Sequence, residues 1–460
     1  MMSSTPHILI LAAGQGKRMK SKRPKVLHPV LFQPMIHHVL DLACSLSQAS
    51  IGVVIGHGGR EVQEACQSYR SVRFFEQKEQ KGTADAVKSA QDFLESQTGQ
   101  VLVLSGDVPL LRKESLEKLL SAHEKTQASC SLVTTRLENP TGYGRVLRDS
   151  NSCVLGIREE ADSSSQEKEI KEVNAGIYCF EIKSLFEALS QISNQNRQGE
   201  YYLTDVVEIL VTDNKKVVGV LFEDSSETLG INDRIALAEA EKTLQSRVNQ
   251  LHMANGVTLQ GADDIWIDTR TKIGADVVIE NGTRIQNSEI GAGTWVQSQC
   301  RIEFSKLGTG VKLKQGSVIE KSEIGADTVV GPYAHLRPES VLGSHVKIGN
   351  FVEVKKSIFK DGAKASHLSY IGDAEIGRDV NLGCGFITCN YDGVNKHKTV
   401  IEDGVFVGSD SQMIAPVTLG AGSYVASGTT VTRDVPPESL VISRGKQVTK
   451  PGYAKRFLKK

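Results

Sequence analysis

A short run of small and basic residues directly follows the first aliphatic segment of the chain. Leu11–Met19 reads LAAGQGKRM, and Pro24-Lys25 follows soon after. Glycines and alanines let backbone N–H groups approach a polyphosphate closely, and Lys17, Arg18 and Lys25 add positive charge. The segment is not a Walker A loop, because no Lys-Ser/Thr closes it, and it lacks the third glycine of GxGxxG. It predicts a phosphate-binding loop, with a tight strand-to-helix turn as the alternative.

A histidine in the C-terminal half is the second candidate for chemistry. His367 lies in a polar stretch, residues 362–373, that interrupts an otherwise aliphatic pattern. A histidine can accept the proton of an amine during acyl transfer near neutral pH. A lone histidine on a strand is more often a surface residue, but this one has polar companions suited to a sugar phosphate: Arg337, Lys355 and Tyr370. Residues 388–398 also leave the repeat and return to it, as an excursion that forms a pocket wall would do.

Alternating strands and helices are predicted to position the first group. Ile8–Leu11, Gly52–Ile55 and Val101–Leu104 are aliphatic runs that each lead into a glycine-containing turn, and Ala84–Leu94 and Glu114–Ala122 read as helices between strands. This pattern indicates an open parallel α/β sheet of Rossmann-like type, with ligands at the carboxyl ends of its strands. We assign residues 1–230 to this domain.

A connecting helix is predicted over residues 231–255. It starts at Asn232 or Asp233 and ends at Asn255-Gly256. Its apolar face is expected to comprise Leu237, Ala240, Leu244, Val248 and Leu251.

A six-residue period fills residues 256–460. Aliphatic residues recur in two phases: Ile324, Val330, Leu336, Leu342, Ile348 and Val354, then Ile401, Val407, Met413, Leu419, Val425 and Val431. Such a period indicates a parallel β-helix with one inward aliphatic residue per strand. By analogy with hexapeptide-repeat proteins, we expect the left-handed triangular form. The glycines that often follow these residues (Gly325, Gly331, Gly343, Gly349 and Gly408) are expected to supply backbone angles for the corners.

Composition excludes several classes of protein. Lys+Arg and Asp+Glu both total 54, so the charge balance gives no reason to expect a nucleic-acid partner or an acidic membrane surface. Eight scattered cysteines without metal-ligand spacing indicate reduced thiols. Ile8–Ala13 is too short to span a membrane. We expect a soluble, cytoplasmic protein with a small basic tail at Lys455-Arg456 and Lys459-Lys460.

The N-terminal motifs resemble those of the sugar-phosphate nucleotidyltransferase family, whose signature is LxxGxGxRM followed by PKxL. Further motifs stand in the order expected of its uridylyltransferase branch: Gln77, Gly82-Thr83, Ser105–Pro109, Thr141–Arg145, Glu159, Asn174–Gly176 and Gly230–Asn232. One departure is Ala84-Asp85, where relatives often carry Gly-His, and no role is assigned to Asp85.

This resemblance implies a set of UTP and UDP-sugar contacts. The phosphates are held by Leu11, Ala12, Ala13 and Gly14, and the uracil is bound by Gln77 and Gly82. The nucleotide site is completed by Thr83, Ser105 and Gly106, and the sugar is held by Gly144, Glu159 and Asn174. The transferring group is stabilised by Arg18 and Lys25. Asp107, a hard oxygen ligand, and Asn232, a neutral one, are the candidates for binding Mg²⁺. A surface turn for Asp107 and a helix N-cap for Asn232 are the alternatives.

The C-terminal motifs resemble the bifunctional N-acetylglucosamine-1-phosphate uridylyltransferase/glucosamine-1-phosphate acetyltransferase family. They read NFVEVKK (Asn350–Lys356), HLSYIGDAEIG (His367–Gly377), ITCNYDG (Ile387–Gly393) and FVGSD (Phe406–Asp410). The resemblance implies acetylation of glucosamine 1-phosphate from acetyl-CoA, then uridylyl transfer from UTP with release of pyrophosphate.

The same resemblance assigns residues in the C-terminal half. His367 is the general base; Arg337, Lys355, Tyr370 and Asn381 bind glucosamine 1-phosphate; Cys384, Asn390, Tyr391, Ser409, Ser427 and Arg444 bind acetyl-CoA. Cys384 stands where relatives commonly have alanine in a GAG turn; we expect its sulfur to be tolerated and to make the acetyl-CoA site thiol-sensitive. The family also implies a homotrimer with the acetyl-transfer site between subunits.

Two other functions remain as alternatives. One is a nucleotidyltransferase with a single activity, such as an ADP-glucose pyrophosphorylase, whose β-helix serves only assembly. The other is a sugar-nucleotide binding protein without catalysis. The polar residues around His367 argue against the first, because a β-helix used only for assembly does not need them. Asp107 with Asn232 argues against the second, because a binding protein without catalysis does not need this pair.

Overall fold

The computed structural model describes residues 6–46, 50–95 and 97–457. The chain divides into two compact units, residues 1–244 and 245–460. The boundaries 1–230, 231–255 and 256–460 stay a prediction. Lys459 and Lys460 of the predicted tail lie outside the described residues.

A mixed sheet forms the centre of the first unit. In spatial order its main strands are Val217–Leu221, Cys130–Arg136, Glu172–Glu181, Gln100–Ser105, His7–Leu11, Ile51–Ile55 and Val72–Glu76, with Arg145–Arg148 and Val154–Arg158 paired at one side. The predicted open α/β sheet is confirmed, but its strands are of mixed direction and not all parallel. Strand Glu172–Glu181 runs antiparallel to both of its neighbours. The alternation of strands and helices predicts parallel strands only, because a parallel pair needs a crossover helix and an antiparallel pair does not.

The helices of the first unit are mostly short. They are Met35–Leu46, Gly59–Ala65, Thr83–Lys88, Gln91–Glu95, Lys113–Thr126, Ser165–Lys168, Ile182–Leu189 and Asp205–Thr212. The predicted helix Ala84–Leu94 is therefore two helices. Single turns at Lys17–Met19 and Lys25–Leu27 and a small ribbon, Pro29–Val30 with Gln33–Pro34, follow the first strand.

The longest helix, Arg234–Ala254, begins in the first unit and ends in the second. The Asp233 carboxylate accepts hydrogen bonds from the N–H groups of Ile235 and Ala236, each at 3.0 Å, so Asp233 caps the helix. Ala240, Leu244 and Val248 are buried as the apolar face predicts, but Leu251 is 61% exposed.

The central strand His7–Leu11 leads into the predicted phosphate-binding loop. Ile8 and Ile10 pack into one buried apolar cluster, and Leu9 packs into the other on the opposite face. A parallel strand that is covered on both faces reads as a continuous apolar run, which explains the sequence of this segment. The strand therefore holds Leu11, the first residue of the loop, in a rigid position.

The second unit is a left-handed β-helix with three parallel sheets. The first sheet contains Thr258–Gln260, Val278–Glu280, Trp295–Val296, Lys312–Leu313, Val329–Val330, Lys347–Asn350, Lys364–His367, Asn381–Leu382, Phe406–Val407, Tyr424–Val425 and Leu440–Val441. The second contains Trp266–Ile267, Arg284–Gln286, Arg301–Glu303, Val318–Glu320, His335–Leu336, Glu353–Lys355, Tyr370–Gly372, Ile387–Cys389, Gln412–Ile414 and Thr430–Val431. The third contains Lys272–Ile273, Glu289–Ile290, Lys306–Leu307, Glu323–Ile324, Val341–Leu342, Ile358–Phe359, Ala374–Ile376, Thr399–Ile401 and Val417–Leu419.

Aliphatic side chains fill the interior of the coils. In the first sheet, Val330, Ile348, Ala365 and Leu382 stack in register and are buried. Leu382 then pairs with Val407, so this coil is longer than its neighbours and contains the predicted excursion. The fold predicted from the period is confirmed.

The glycines after the aliphatic residues have a different role from the one predicted. Of the five, only Gly331 has a left-handed φ, at 96°. A Cβ built on Gly325 would lie 2.5 Å from the backbone carbon of Gly343 in the next coil. These glycines are therefore required by the close approach of neighbouring coils, while non-glycine residues such as Asp327 and His345 adopt the left-handed conformation at corners.

Two further expectations concern the described residues as a whole. None of their helices combines the length and the apolar character that a membrane span requires. All eight cysteines are free thiols.

Candidate active sites

A cavity of about 530 Å³ opens where the central strand of the first unit ends. The backbone N–H of Ala12 donates to Val54 O at 2.8 Å and that of Gly106 to Leu11 O at 2.9 Å, which fixes the loop against its neighbours. Most of the predicted nucleotide residues line this cavity: Leu11, Ala12, Ala13, Gly14, Arg18, Lys25, Gln77, Gly82, Thr83, Ser105, Asp107 and Asn232.

The two candidate metal ligands share a cation. The Lys25 ammonium donates to Asp107 Oδ2 and, at 2.6 Å, to Asn232 Oδ1. Ser105 Oγ donates to the other Asp107 oxygen at 2.8 Å and so orients the carboxylate. The two oxygens are thus close enough to bind one positive charge together, and both are of the hard oxygen type that Mg²⁺ prefers.

Asp107 and Asn232 provide only two protein ligands, which suits a metal that is also bound by substrate and water. Among the described residues, no group of three or more His, Cys, Asp or Glu side chains could hold a metal ion. Mg²⁺ is commonly bound through one or two carboxylates together with substrate phosphates and water. Asp107 and Asn232 fit that pattern.

The predicted sugar-binding residues form a second group beside the sheet. Asn174 N donates to Gly144 O at 2.9 Å, and a Cβ on Gly144 would lie 3.5 Å from the Glu159 carboxyl carbon. Burial raises the pKa of Glu159. Thr204, which the motifs did not indicate, donates its hydroxyl proton to Glu159 Oε1 at 3.0 Å.

In the second unit, five of the eleven predicted acetyl-transfer residues lie along one corner of the β-helix. Asn350 and His367 are in register on neighbouring strands, and Leu368 O accepts from Gly385 N at 3.0 Å. In the following coils, Cys384 O accepts from Asp410 N at 2.7 Å, and Ser409 O accepts from Gly428 N at 2.8 Å. We call this series the corner column: Asn350, His367, Cys384, Ser409, Ser427 and Arg444.

Asn350 orients the His367 ring. It belongs to the motif NFVEVKK, but no role was predicted for it. His367 Nδ1 lies 2.8 Å from Asn350 Oδ1. Because an amide oxygen only accepts, this contact places the proton on Nδ1 and leaves Nε2 as the basic nitrogen. The motif NFVEVKK was the only available signal for Asn350.

Basic residues gather near the same strands. Lys355 precedes a corner on the second sheet, and Arg337 N donates to Val354 O at 2.8 Å in the coil before it. A side-chain hydrogen bond with Lys396, together with the Lys396 charge, lowers the pKa of Lys355. Lys396, on the excursion, was not predicted, and the clustered positive charge suits a phosphate group.

The excursion is held in place by its own side chains. Asn390 is buried and its Nδ2 donates to the Asp373 carboxylate, while Tyr391 is largely exposed. His397 Nε2 lies 2.7 Å from Asp392 Oδ2, and this contact, with two backbone N–H donors, lowers the pKa of Asp392 to about 2. Tyr370 and Asn381 lie on the second and first sheets, on either side of the corner.

Comparisons with known proteins agree with both halves of this description. The family described as Nucleotidyl transferase matches residues 7–272, and six repeats of the family described as Bacterial transferase hexapeptide match residues 321–356 and 398–433. The chain is 48% identical to the bifunctional protein GlmU of Geobacillus sp. (strain WCH70), with 98% of each chain covered. It is equally 48% identical to those of Listeria welshimeri, over 99% of each chain, and Pelobacter propionicus, over 98% of each chain. The resemblance predicted from the motifs is confirmed, and the chain belongs to the family of bifunctional GlmU proteins.

Proposed function

We propose that this chain acetylates glucosamine 1-phosphate from acetyl-CoA and then joins the product to UMP from UTP, which yields UDP-N-acetylglucosamine and pyrophosphate. Family membership supports both activities. The observation that carries the proposal is the presence of two separate constellations, the loop cavity of the first unit and the corner column of the second. A β-helix used only for assembly has no need for the oriented His367–Asn350 pair.

In the uridylyl step, a phosphate oxygen of N-acetylglucosamine 1-phosphate attacks the α-phosphorus of UTP and pyrophosphate leaves. The Leu11–Gly14 loop offers backbone N–H groups to the phosphates, and Arg18 supplies exposed positive charge beside them. Asp107 and Asn232 would hold Mg²⁺, which neutralises charge on the reacting phosphates. Lys25 pairs with the Asp107 carboxylate and donates to the Asn232 amide oxygen, and with a metal bound there its ammonium would be available to the phosphates.

In the acetyl step, the amine of glucosamine 1-phosphate attacks the thioester carbonyl of acetyl-CoA. His367 Nε2 accepts the amine proton, and the CoA thiolate leaves. Arg337, Lys355 and Lys396 bind the phosphate of the sugar, while the later members of the corner column bind acetyl-CoA.

We further propose a cytoplasmic homotrimer. Tyr333, Phe351 and Leu368 are about half exposed and adjoin the corner column, and the rings of Tyr333 and Phe351 stack at 5.7 Å. An apolar ridge of this kind is typical of a surface that a partner covers. Phe351→Glu should therefore convert the trimer to monomers in sedimentation and lower acetyl transfer, with uridylyl transfer unchanged.

Separate assays of the two half-reactions test the main proposal. His367→Ala is expected to lower acetyl transfer by roughly 10²–10⁴-fold, the usual contribution of a general base, and to leave uridylyl transfer intact. Asp107→Ala should do the reverse. His335→Ala is a matched control, since His335 lies on the β-helix but contacts Glu320 at 3.0 Å and has no proposed role. Equal loss of both activities in either folded variant would refute the two-site proposal.

A further inference from the structure

The side-chain amide of Gln77 is held by two neighbours. Gln77 lines the nucleotide cavity and is only 5% exposed. Its Nε2 donates to Gly82 O at 3.0 Å and to Asp85 Oδ2 at 2.8 Å. Its backbone N–H donates to Ile55 O at 2.8 Å, so both the main chain and the side chain are fixed.

The chemistry of these neighbours determines which end of the amide faces the cavity. A backbone carbonyl and a carboxylate can only accept hydrogen bonds, and an amide has two protons, both on its nitrogen. Both protons are therefore committed to Gly82 and Asp85. The amide oxygen of Gln77, which forms no hydrogen bond within the described ranges, is left as an acceptor.

An acceptor at this position distinguishes two pyrimidines. Uracil presents an N3–H donor between two carbonyl oxygens, whereas cytosine presents a lone pair at N3 and an amino group beside it. An amide oxygen accepts from the uracil N3–H but opposes the cytosine lone pair. If the amide were free to rotate, its nitrogen would face the base and cytosine would be accepted as well.

We propose that Asp85 is a positioning residue that sets the base selectivity of uridylyl transfer by fixing the Gln77 amide. Asp85 does not line the nucleotide cavity; it lies in a separate surface depression with Glu76, Glu79 and Lys81. It acts through Gln77 and does not touch the base. This inference rests on the proposed function, in which Gln77 reads the uracil.

A purely structural role for Asp85 makes a different prediction. Asp85 lies in the first turn of helix Thr83–Lys88, where a carboxylate stabilises the helix through its dipole. Loss of that effect would lower the melting temperature and leave the preference between UTP and CTP unchanged.

The test compares kcat/KM for UTP and CTP, with N-acetylglucosamine 1-phosphate and Mg²⁺, in variants of the full chain. Asp85→Leu has a similar shape without an acceptor and is expected to lower the UTP:CTP ratio roughly tenfold, the value of one oriented hydrogen bond. Asp85→Asn retains one acceptor oxygen and should give an intermediate ratio. Glu79→Leu removes the same charge from the same depression, where Glu79 pairs with Lys81, and should leave the ratio unchanged.

The outcomes separate this inference from the proposed function. An unchanged ratio in folded Asp85→Leu, or in folded Asp85→Asn if the leucine variant does not fold, would overturn the role of Asp85. Equal use of UTP and CTP by the unmodified protein would also overturn it. Failure of the unmodified protein to use UTP at all would instead refute the proposed function.

Discussion

Gly349→Ala is the sharpest single perturbation of the proposed acetyl-transfer site. A Cβ at residue 349 would lie 1.8 Å from the backbone oxygen of Ser366 and 2.4 Å from its carbonyl carbon. Since non-bonded atoms attract best at roughly 3.5 Å, the two strands must separate by about 1.7 Å. Neither atom belongs to a flexible side chain, so no rotamer change can relieve the contact.

This displacement acts directly on His367, the proposed general base, and on Asn350, which orients its ring. Asn350 follows the substituted residue, His367 follows Ser366, and the two side chains meet at 2.8 Å. A misplacement of about 1 Å can cost a factor of about 10² in rate. We therefore expect Gly349→Ala to lower kcat for acetyl transfer by about 10²-fold and to leave uridylyl transfer unchanged.

The assay measures N-acetylglucosamine 1-phosphate formed from acetyl-CoA and glucosamine 1-phosphate by mass spectrometry, and pyrophosphate release separately. Gly325→Ala is the matched control, because its Cβ would meet the backbone of the next coil at 2.5 Å in a coil that does not contain Asn350 or His367. Acetyl transfer within threefold of normal in a folded Gly349→Ala protein would refute the reasoning. An equal loss in Gly325→Ala would show that general disturbance of the coils, and not displacement of the pair, is responsible.

Three further predictions follow from other contacts. Asn350→Ala should lower acetyl-transfer kcat by roughly 10–100-fold, as loss of a group that orients a functional histidine usually does, and should change the pH profile of kcat, whereas a merely structural role would leave that profile unchanged. Gly14→Ala should raise KM for UTP about tenfold, because the methyl group takes up space where phosphate approaches. The melting temperature should not change, because no atom lies within 4 Å of the added Cβ. An unchanged KM would contradict the proposal that the Leu11–Gly14 loop binds the phosphates. Burial raises the pKa of Asp205 to about 6, so the folded state binds this proton more tightly than the unfolded state does. Ionisation of Asp205 begins to oppose folding above the ordinary aspartate pKa of about 4 and opposes it fully above the raised pKa. Asp205→Asn should therefore stabilise the first unit by about 1 kcal/mol at pH 8, after discounting the full shift for partial exposure, and the gain should vanish towards pH 4; urea unfolding at the two pH values measures it.

Periodic and contiguous features were predictable from the sequence. The six-residue period specifies the β-helix because each coil repeats the same inward position, and the first strand with its loop is a contiguous motif. The antiparallel strand Glu172–Glu181 was not predictable in this way, because its pairing joins segments that are distant in sequence and no local signal gives strand direction.

The residues that support the sites were the least predictable. Thr204 and Lys396 reach their partners across folded loops, so their spacing carries no pattern. No sequence pattern indicates a role for Asp85, because the contact between its carboxylate and the Gln77 amide exists only in the folded chain. The glycine after each aliphatic residue was predicted, but the reason for it was not, because close approach between coils is a property of the stacked structure.

The corner column places its side chains at a fixed spacing along the axis of the β-helix. Hydrogen bonding between parallel strands fixes the step from coil to coil at about 4.8 Å, and Cys384, Ser409 and Ser427 occupy successive steps. Insertion or deletion of one complete coil would keep the register in which strands of successive coils pair and would change the distance along the axis by one such step. A scaffold of this kind can therefore adapt to longer or shorter extended ligands in whole increments, without redesign of its interior.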